Sequence, residues 1–132
     1  MNNTYINALK ENTFKDMTFG EIWIKNCNNL TTIHKNTFTT TSNITKHLVI
    51  YNNPKLHDLN DNSIFESITQ FIAIQTLDLN DNNITHIPDY AFKPLNGNQN
   101  NLTELHISGQ SIHSIGSRPF LLPKLSEITS II

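Results

Sequence analysis
The chain has 132 residues, 9 basic and 11 acidic side chains, a formal net charge of −2 and 37% apolar residues. That length suits one domain, and the near-neutral balance leaves no basic footprint for nucleic acid. No apolar run approaches the ~20 residues that a membrane span needs.

In chain order, Met1–Tyr5 lacks the apolar core of a signal peptide. Ile6, Leu9, Phe14 and Met17 then form half of a repeating unit. The first full unit is Phe19, Ile22, Ile24, Cys27, Leu30, Ile33 and Phe38. A weaker one follows: Leu48, Ile50, Asn53, Leu56, Leu59 and Phe65, with polar Thr45 where a leucine is expected. Ile74, Leu77, Leu79, Asn82, Ile84, Ile87 and Phe92 make the clearest unit. Leu102, Leu105, Ile107, Gln110, Ile112, Ile115 and Phe120 make the next, and Leu125 and Ile128 open another. The units recur at about 24–29 residues.

Within Ile74–Phe92 the first half alternates in and out, as a strand does, and the second spaces its apolar residues more widely, as a turn with a helical or 3₁₀ return would. Leu77 and Leu79 are expected to point inward from the strand, with Ile84, Ile87 and Phe92 filling the same slab from the return side. Phe14, Phe38, Phe65, Phe92 and Phe120 are expected to stack as one ladder. Asn82 and Asn53 fall where the chain leaves its strand, so their amides can bond backbone groups there; Gln110 and Cys27 occupy the same place. Cys27, the sole cysteine, is expected to be a buried structural thiol, and pairing says nothing of redox compartment. The polar stretch Lys93–Asn101, with its Asn96-Gly97 turn signal, is expected to bulge from the return side.

The pattern L-x-x-L-x-L-x-x-N-x-I-x-x-I-x-x-x-x-F, repeated in register, resembles the extracellular type of leucine-rich repeat, in which a Phe closes each unit. The resemblance implies an α/β solenoid over residues 1–132: a right-handed superhelix of about four full repeats, with a parallel sheet on a concave face and irregular, 3₁₀ or short-helical segments on the convex side. F-x-x-x-x-F-G-E-I-W-I-K-N-C-N-N-L-T-T-I in Phe14–Ile33 and I-P-D-Y-A-F in Ile87–Phe92 look like arthropod secreted leucine-rich repeat proteins, the group likened to the non-catalytic subunit of Oplophorus luciferin monooxygenase. That resemblance implies secretion and an accessory role without catalysis. Toll-like and Slit-like ectodomains share the grammar. Ile115-Gly116-Ser117-Arg118-Pro119-Phe120 is similar to the I-G-x-x-x-F units of intracellular repeat proteins. Both ends fall inside repeats without polar or cysteine-rich caps. The expectation is therefore a piece of a longer protein, with a short chain capped by dimerisation as the alternative.

On the sheet, the residues between the inward leucines are expected to face solvent. They form three stripes: Glu21, His47, Thr76, Glu104, Glu127; Trp23, Val49, Asp78, His106, Thr129; and Lys25, Tyr51, Asn80, Ser108, Ile131. Trp23, Val49 and Tyr51 group as an apolar, aromatic patch of the kind that suits a protein partner. Glu21, Lys25, His47, Asp78, Asn80 and His106 complete the candidate binding face. N-x-T triplets make Asn2, Asn29, Asn43, Asn83 and Asn101 candidate N-glycosylation sites. A chain this rich in Asn and Thr also yields such triplets by chance. No H-E-x-x-H, G-x-S-x-G, paired CxxC or Gly-rich phosphate loop occurs, and the histidines are scattered, His47 with Glu21 and His106 with Asp78 being the pairs that neighbouring strands could form. No cofactor or metal is expected.

Overall fold
The structure is a computed structural model and describes residues 1–58, 63–92, 102–109, 111–119 and 130–131. Five strands, β2 (Glu21–Lys25), β4 (His47–Tyr51), β5 (Thr76–Asp78), β7 (Glu104–His106) and β9 (Ser130–Ile131), lie side by side in that order, every neighbouring pair parallel. On the return side β1 (Ala8–Leu9) pairs in parallel with β3 (Thr32–Ile33), and β6 (His86–Ile87) with β8 (Ser114–Ile115). Each turn of chain lays one strand beside the previous turn's strand in the same direction, so the molecule is a solenoid of parallel strands. The only helix among the described residues is α1 (Ser63–Ile68).

This corrects the return side. In place of helical or 3₁₀ segments, three of the returns carry two-residue strands that pair across neighbouring turns, and β1 gives the half unit one as well. The cause is the sequence around Ile33, Ile87 and Ile115, where a β-branched residue follows Thr32, His86 and Ser114 and pairs with its counterpart one turn away. Helix α1 is too short to hold alone. It is fixed because Ile64, Phe65 and Ile68 are buried in the common core.

The apolar ruler is otherwise followed closely. Ile22, Ile24, Leu48, Ile50, Leu77, Leu79 and Leu105 of the sheet and Leu30, Ile33, Leu56, Ile84 and Ile87 of the returns share one core cluster. Burial of each such side chain contributes roughly 1.5–3 kcal/mol. Thr45, polar at a leucine position, is fully buried, with its hydroxyl donating to Phe19 O at 2.6 Å and lying 2.9 Å from Thr41 Oγ1. A satisfied hydroxyl at that place costs little. Met17 and Ile115, expected inward, are exposed. Ile115 pairs with Ile87 across β8 and β6 yet is 58% exposed, whereas Ile87 is buried in the core.

The aromatic ladder differs in membership. Phe14 stacks on Phe38 with centroids 5.8 Å apart, but the ring next to Phe38 is Phe71, at 5.4 Å, and Phe65 instead meets Phe92 at 5.9 Å. Helix α1 displaces Phe65 along the return, and Phe71, after the helix, fills the gap. All four buried rings belong to the one core. Phe120 and Leu59 lie outside the described residues, as do Gln110 and the Lys93–Asn101 connection.

The register of the last strand also differs. Ser130 stands opposite Glu104 and Ile131 opposite Leu105, not Glu127 and Ile128. The step from Leu105 to Ile131 equals that from Ile22 to Leu48, whereas a step to Ile128 would be shorter than any other sheet-to-sheet step. Glu127 and Thr129 lie outside the described residues.

Candidate protein-binding face
Alternation along β2 turns Ile22 and Ile24 into the core and Glu21, Trp23 and Lys25 out. Parallel register carries this face across the sheet: Glu21, His47, Thr76 and Glu104 form one row, and Trp23, Val49, Asp78 and His106 the next. Lys25 faces Tyr51. Trp23 is 48% exposed and Tyr51 37%. Trp23 is held on both sides, its Nε1 donating to Glu21 Oε2 at 3.4 Å and Lys25 Nζ sitting 5.5 Å from the ring centroid. Such a cation–π contact contributes roughly 0.5–1 kcal/mol at an exposed place. Beside Trp23 a cleft of about 220 Å³ opens, lined by Met1, Phe14, Phe19, Glu21, Ile22 and Ile24.

Val49 departs from the expected exposure. It points to the open face yet is buried, and it does not belong to the core cluster. Its neighbours in the row, Trp23 and Asp78, cover it. Val49 is therefore the floor of the aromatic patch. His47 is half-buried on the same strand. Asp78 Oδ1 accepts from Asn80 N at 2.9 Å, and Asn80 Oδ1 accepts from Ser108 N at 2.6 Å and Ser108 Oγ at 3.1 Å. Asn80 thus ties two turns together. His106 Nε2 lies 3.7 Å from Glu104 Oε2 on its own strand, in place of a pairing with Asp78. Glu21 takes the Trp23 indole N–H rather than His47.

Beyond β2, β4, β5 and β7 the backbone turns through a ladder of left-handed residues. Asn26, Asn52, Asp81 and Gly109 occupy one repeat position, with φ of 57°, 53°, 57° and 70°. Left-handed backbone costs most residues roughly 1–2 kcal/mol, and Asn, Asp and Gly are the types that adopt it. The residues after the first three, Cys27, Asn53 and Asn82, are buried. Asn53 Oδ1 accepts from Cys27 N at 3.0 Å, and its Nδ2 donates to Ile24 O at 3.1 Å. Asn82 Nδ2 donates to Ile50 O at 2.7 Å and Leu79 O at 2.6 Å, while its Oδ1 accepts from Asn53 N at 3.1 Å. Cys27 is a buried free thiol in the same column.

The return side holds two further features. A polar groove of about 570 Å³ is lined by Glu11, Asn12, Asn36, Thr39, Ser42, Asn43 and Gln70. His86 Nδ1 and Ser114 Oγ lie 2.7 Å apart, a pair that their sequence separation does not suggest. A nucleophile–base pair needs a third group that orients the base. Asp58, one turn earlier, bonds this segment through its backbone and Thr85 rather than through the imidazole: it accepts from Thr85 N, Thr85 Oγ1 and His86 N. Among the described residues no group of three or more His, Cys, Asp and Glu side chains could hold a metal ion, and no helix is long and apolar enough to cross a membrane. Asn2, Asn29 and Asn43 are exposed, Asn83 is half-buried, and Asn101 lies outside the described residues. No protein-family model, curated protein or solved structure matches the chain.

Proposed function
We propose that the chain is a scaffold of the leucine-rich repeat type, without catalysis of its own, that offers the open face of its five-stranded sheet to a protein partner outside the cell. The observation that carries this reading is the grouping of half-exposed Trp23 and Tyr51 over Val49 on a regular sheet face. Trp and Tyr are the residues in which binding energy concentrates at protein interfaces. The cleft beside Trp23 adds apolar surface continuous with the patch. The repeat type is supported by the order of inward leucines and the asparagine at the strand exit. Placement outside the cell, and an accessory role, rest on the resemblance of Phe14–Ile33 and Ile87–Phe92 to secreted repeat proteins.

The test compares three forms of the chain as bait in extract from the native source: wild type, Trp23→Ala with Tyr51→Ala, and Tyr5→Ala as an exposed aromatic control off the sheet. A partner on this face is retained by wild type and the control and reduced about tenfold or more by the double substitution, as loss of interface anchors dictates. Equal retention by all three forms would mark the segment as a spacer and remove the binding face.

A further inference from the structure
Five N-x-T triplets stand in the sequence, and the structure sets one apart from the rest. Thr31 Oγ1 donates to Asn7 O at 2.9 Å, Thr45 Oγ1 to Phe19 O at 2.6 Å, Thr85 Oγ1 to Asp58 Oδ1 at 2.9 Å, and Thr103 Oγ1 to Gln75 O at 3.3 Å. Each acceptor lies one turn earlier, 24 to 28 residues back. Three of these threonines send their backbone N–H to the same acceptor residue. The middle residues Leu30, Ile84 and Leu102 are buried in the core. Asn29 is tied at both ends of its amide, Nδ2 donating to Thr4 O and Oδ1 accepting from Lys55 Nζ at 3.0 Å. In Asn2-Asn3-Thr4, by contrast, Asn2 and Thr4 are exposed, and the Thr4 hydroxyl has no partner among the described residues.

N-glycan transfer requires the triplet to leave its surroundings so that the acceptor amide and the hydroxyl two residues on can both be engaged. In four triplets that means breaking a bond from the threonine hydroxyl to the previous turn, and in three of them also withdrawing a core residue. In Asn2-Asn3-Thr4 only the Thr4 carbonyl is tied to another turn, by Asn29 Nδ2, and neither the Asn2 amide nor the Thr4 hydroxyl is engaged among the described residues. We propose that Asn2 is the acceptor the folded chain offers, and that the threonines of the other triplets are clasps between turns of the solenoid. Asn2 Nδ2 forms the bond to C1 of the donor sugar. The C1–O bond to a lipid pyrophosphate breaks, the lipid pyrophosphate leaves with the electron pair, and one amide proton passes to a base of the transferase. The biological use of Asn2 rests on the extracellular reading above, but the test does not, because the transferase is supplied.

Chain made in bacteria and folded is incubated with a purified oligosaccharyltransferase and a lipid-pyrophosphate-linked oligosaccharide, and occupancy is mapped by mass spectrometry. Synthetic peptides spanning residues 1–7, 26–34, 40–48 and 80–88 are the controls. Transfer confined to Asn2 in the folded chain, with all four peptides accepted, is the expected result. Transfer to Asn29, Asn43 or Asn83 of the folded chain at a rate comparable to Asn2 overturns the proposal, as does an unmodified Asn2 when peptide 1–7 is accepted. Thr31→Val, Thr45→Val and Thr85→Val should each lower Tm by roughly 4 °C, the shift that one lost hydrogen bond gives a chain of this size, while Thr4→Val leaves it unchanged. Equal effects at all four positions would deny the clasps.

Discussion
Asn53→Ala should lower the stability of the folded chain by about 4 kcal/mol. Asn53 is fully buried, and its side chain makes three hydrogen bonds: to Cys27 N at 3.0 Å and to Ile24 O and Asn82 Oδ1 at 3.1 Å each. Truncation leaves the Cys27 N–H without that acceptor in a place water does not reach, at roughly 1–3 kcal/mol, and removes two donated bonds at about 1 kcal/mol each. Against a typical total of about 5–15 kcal/mol that is a large fraction. The assay is urea unfolding followed through Trp23, the only tryptophan, with circular dichroism as a second probe. Exposed Asn28→Ala is the control and should stay within about 0.5 kcal/mol of wild type. If Asn53→Ala loses less than about 1 kcal/mol, the asparagine column does not bind the turns together, and the physical case for a repeat-type strand exit goes with it.

Leu79→Ala, at a fully buried core position, should cost about 2–5 kcal/mol, read as a shift in the urea midpoint; an unchanged midpoint would rule out an inward Leu79. Gly109→Ala should destabilise by roughly 1–2 kcal/mol, since the backbone is left-handed there at φ 70° and an added Cβ would stand 1.8 Å from Asp81 Oδ1. Adding Asp81→Gly, which removes the carboxylate without straining the left-handed backbone at φ 57°, should recover part of that loss in thermal unfolding, and no recovery would mean the clash is not what matters. Trp23→Ala with Tyr51→Ala should cost roughly 1–3 kcal/mol in the urea midpoint, because the half-buried rings cover Val49 and Trp23 carries the Lys25 contact, and no change would mean that they cover nothing. Trp23 is 48% exposed, so iodide should quench its fluorescence in the folded protein.

The solenoid was legible because its driving term is apolar spacing. Ile22 and Ile24, Leu48 and Ile50, and Leu77 and Leu79 recur with the period of a strand, and each pair is inward and buried. Asn53 and Asn82 were legible because an amide at the end of an apolar strand has few other uses. What the residues hid was interaction between turns. Val49 reads as exposed by alternation, but its burial comes from Trp23 and Asp78 on neighbouring strands. Phe71 follows helix α1, and only the packed core reveals that it, not Phe65, meets Phe38. The left-handed column of Asn26, Asn52, Asp81 and Gly109 carried a signal that could have been read: residue types that tolerate positive φ at one repeat position. Ile128 and Ile131 are equally apolar, so hydropathy alone could not choose the last register; the length of the turn does.

The threonine and asparagine content likewise acquires a physical reading. Thr37 Oγ1 bonds Leu9 O at 3.2 Å, Thr40 Oγ1 bonds Phe14 O at 2.8 Å, and Asn52 Nδ2 bonds Asn26 Oδ1 at 2.8 Å, each across one turn. A stack of short strands leaves many backbone groups at its turns unsatisfied, and short polar side chains from the next turn meet them. That is why a chain of only 37% apolar residues holds a continuous core.

The most direct measurement is nuclear magnetic resonance on isotope-labelled protein, looking for amide-to-Hα contacts between neighbouring strands. Parallel pairing at Leu48 with Leu77 and Leu77 with Leu105 predicts cross-strand amide–Hα contacts at those positions. Close Hα–Hα contacts between the segments, which belong to antiparallel pairs, or no contacts at all, would contradict the solenoid and the face built on it.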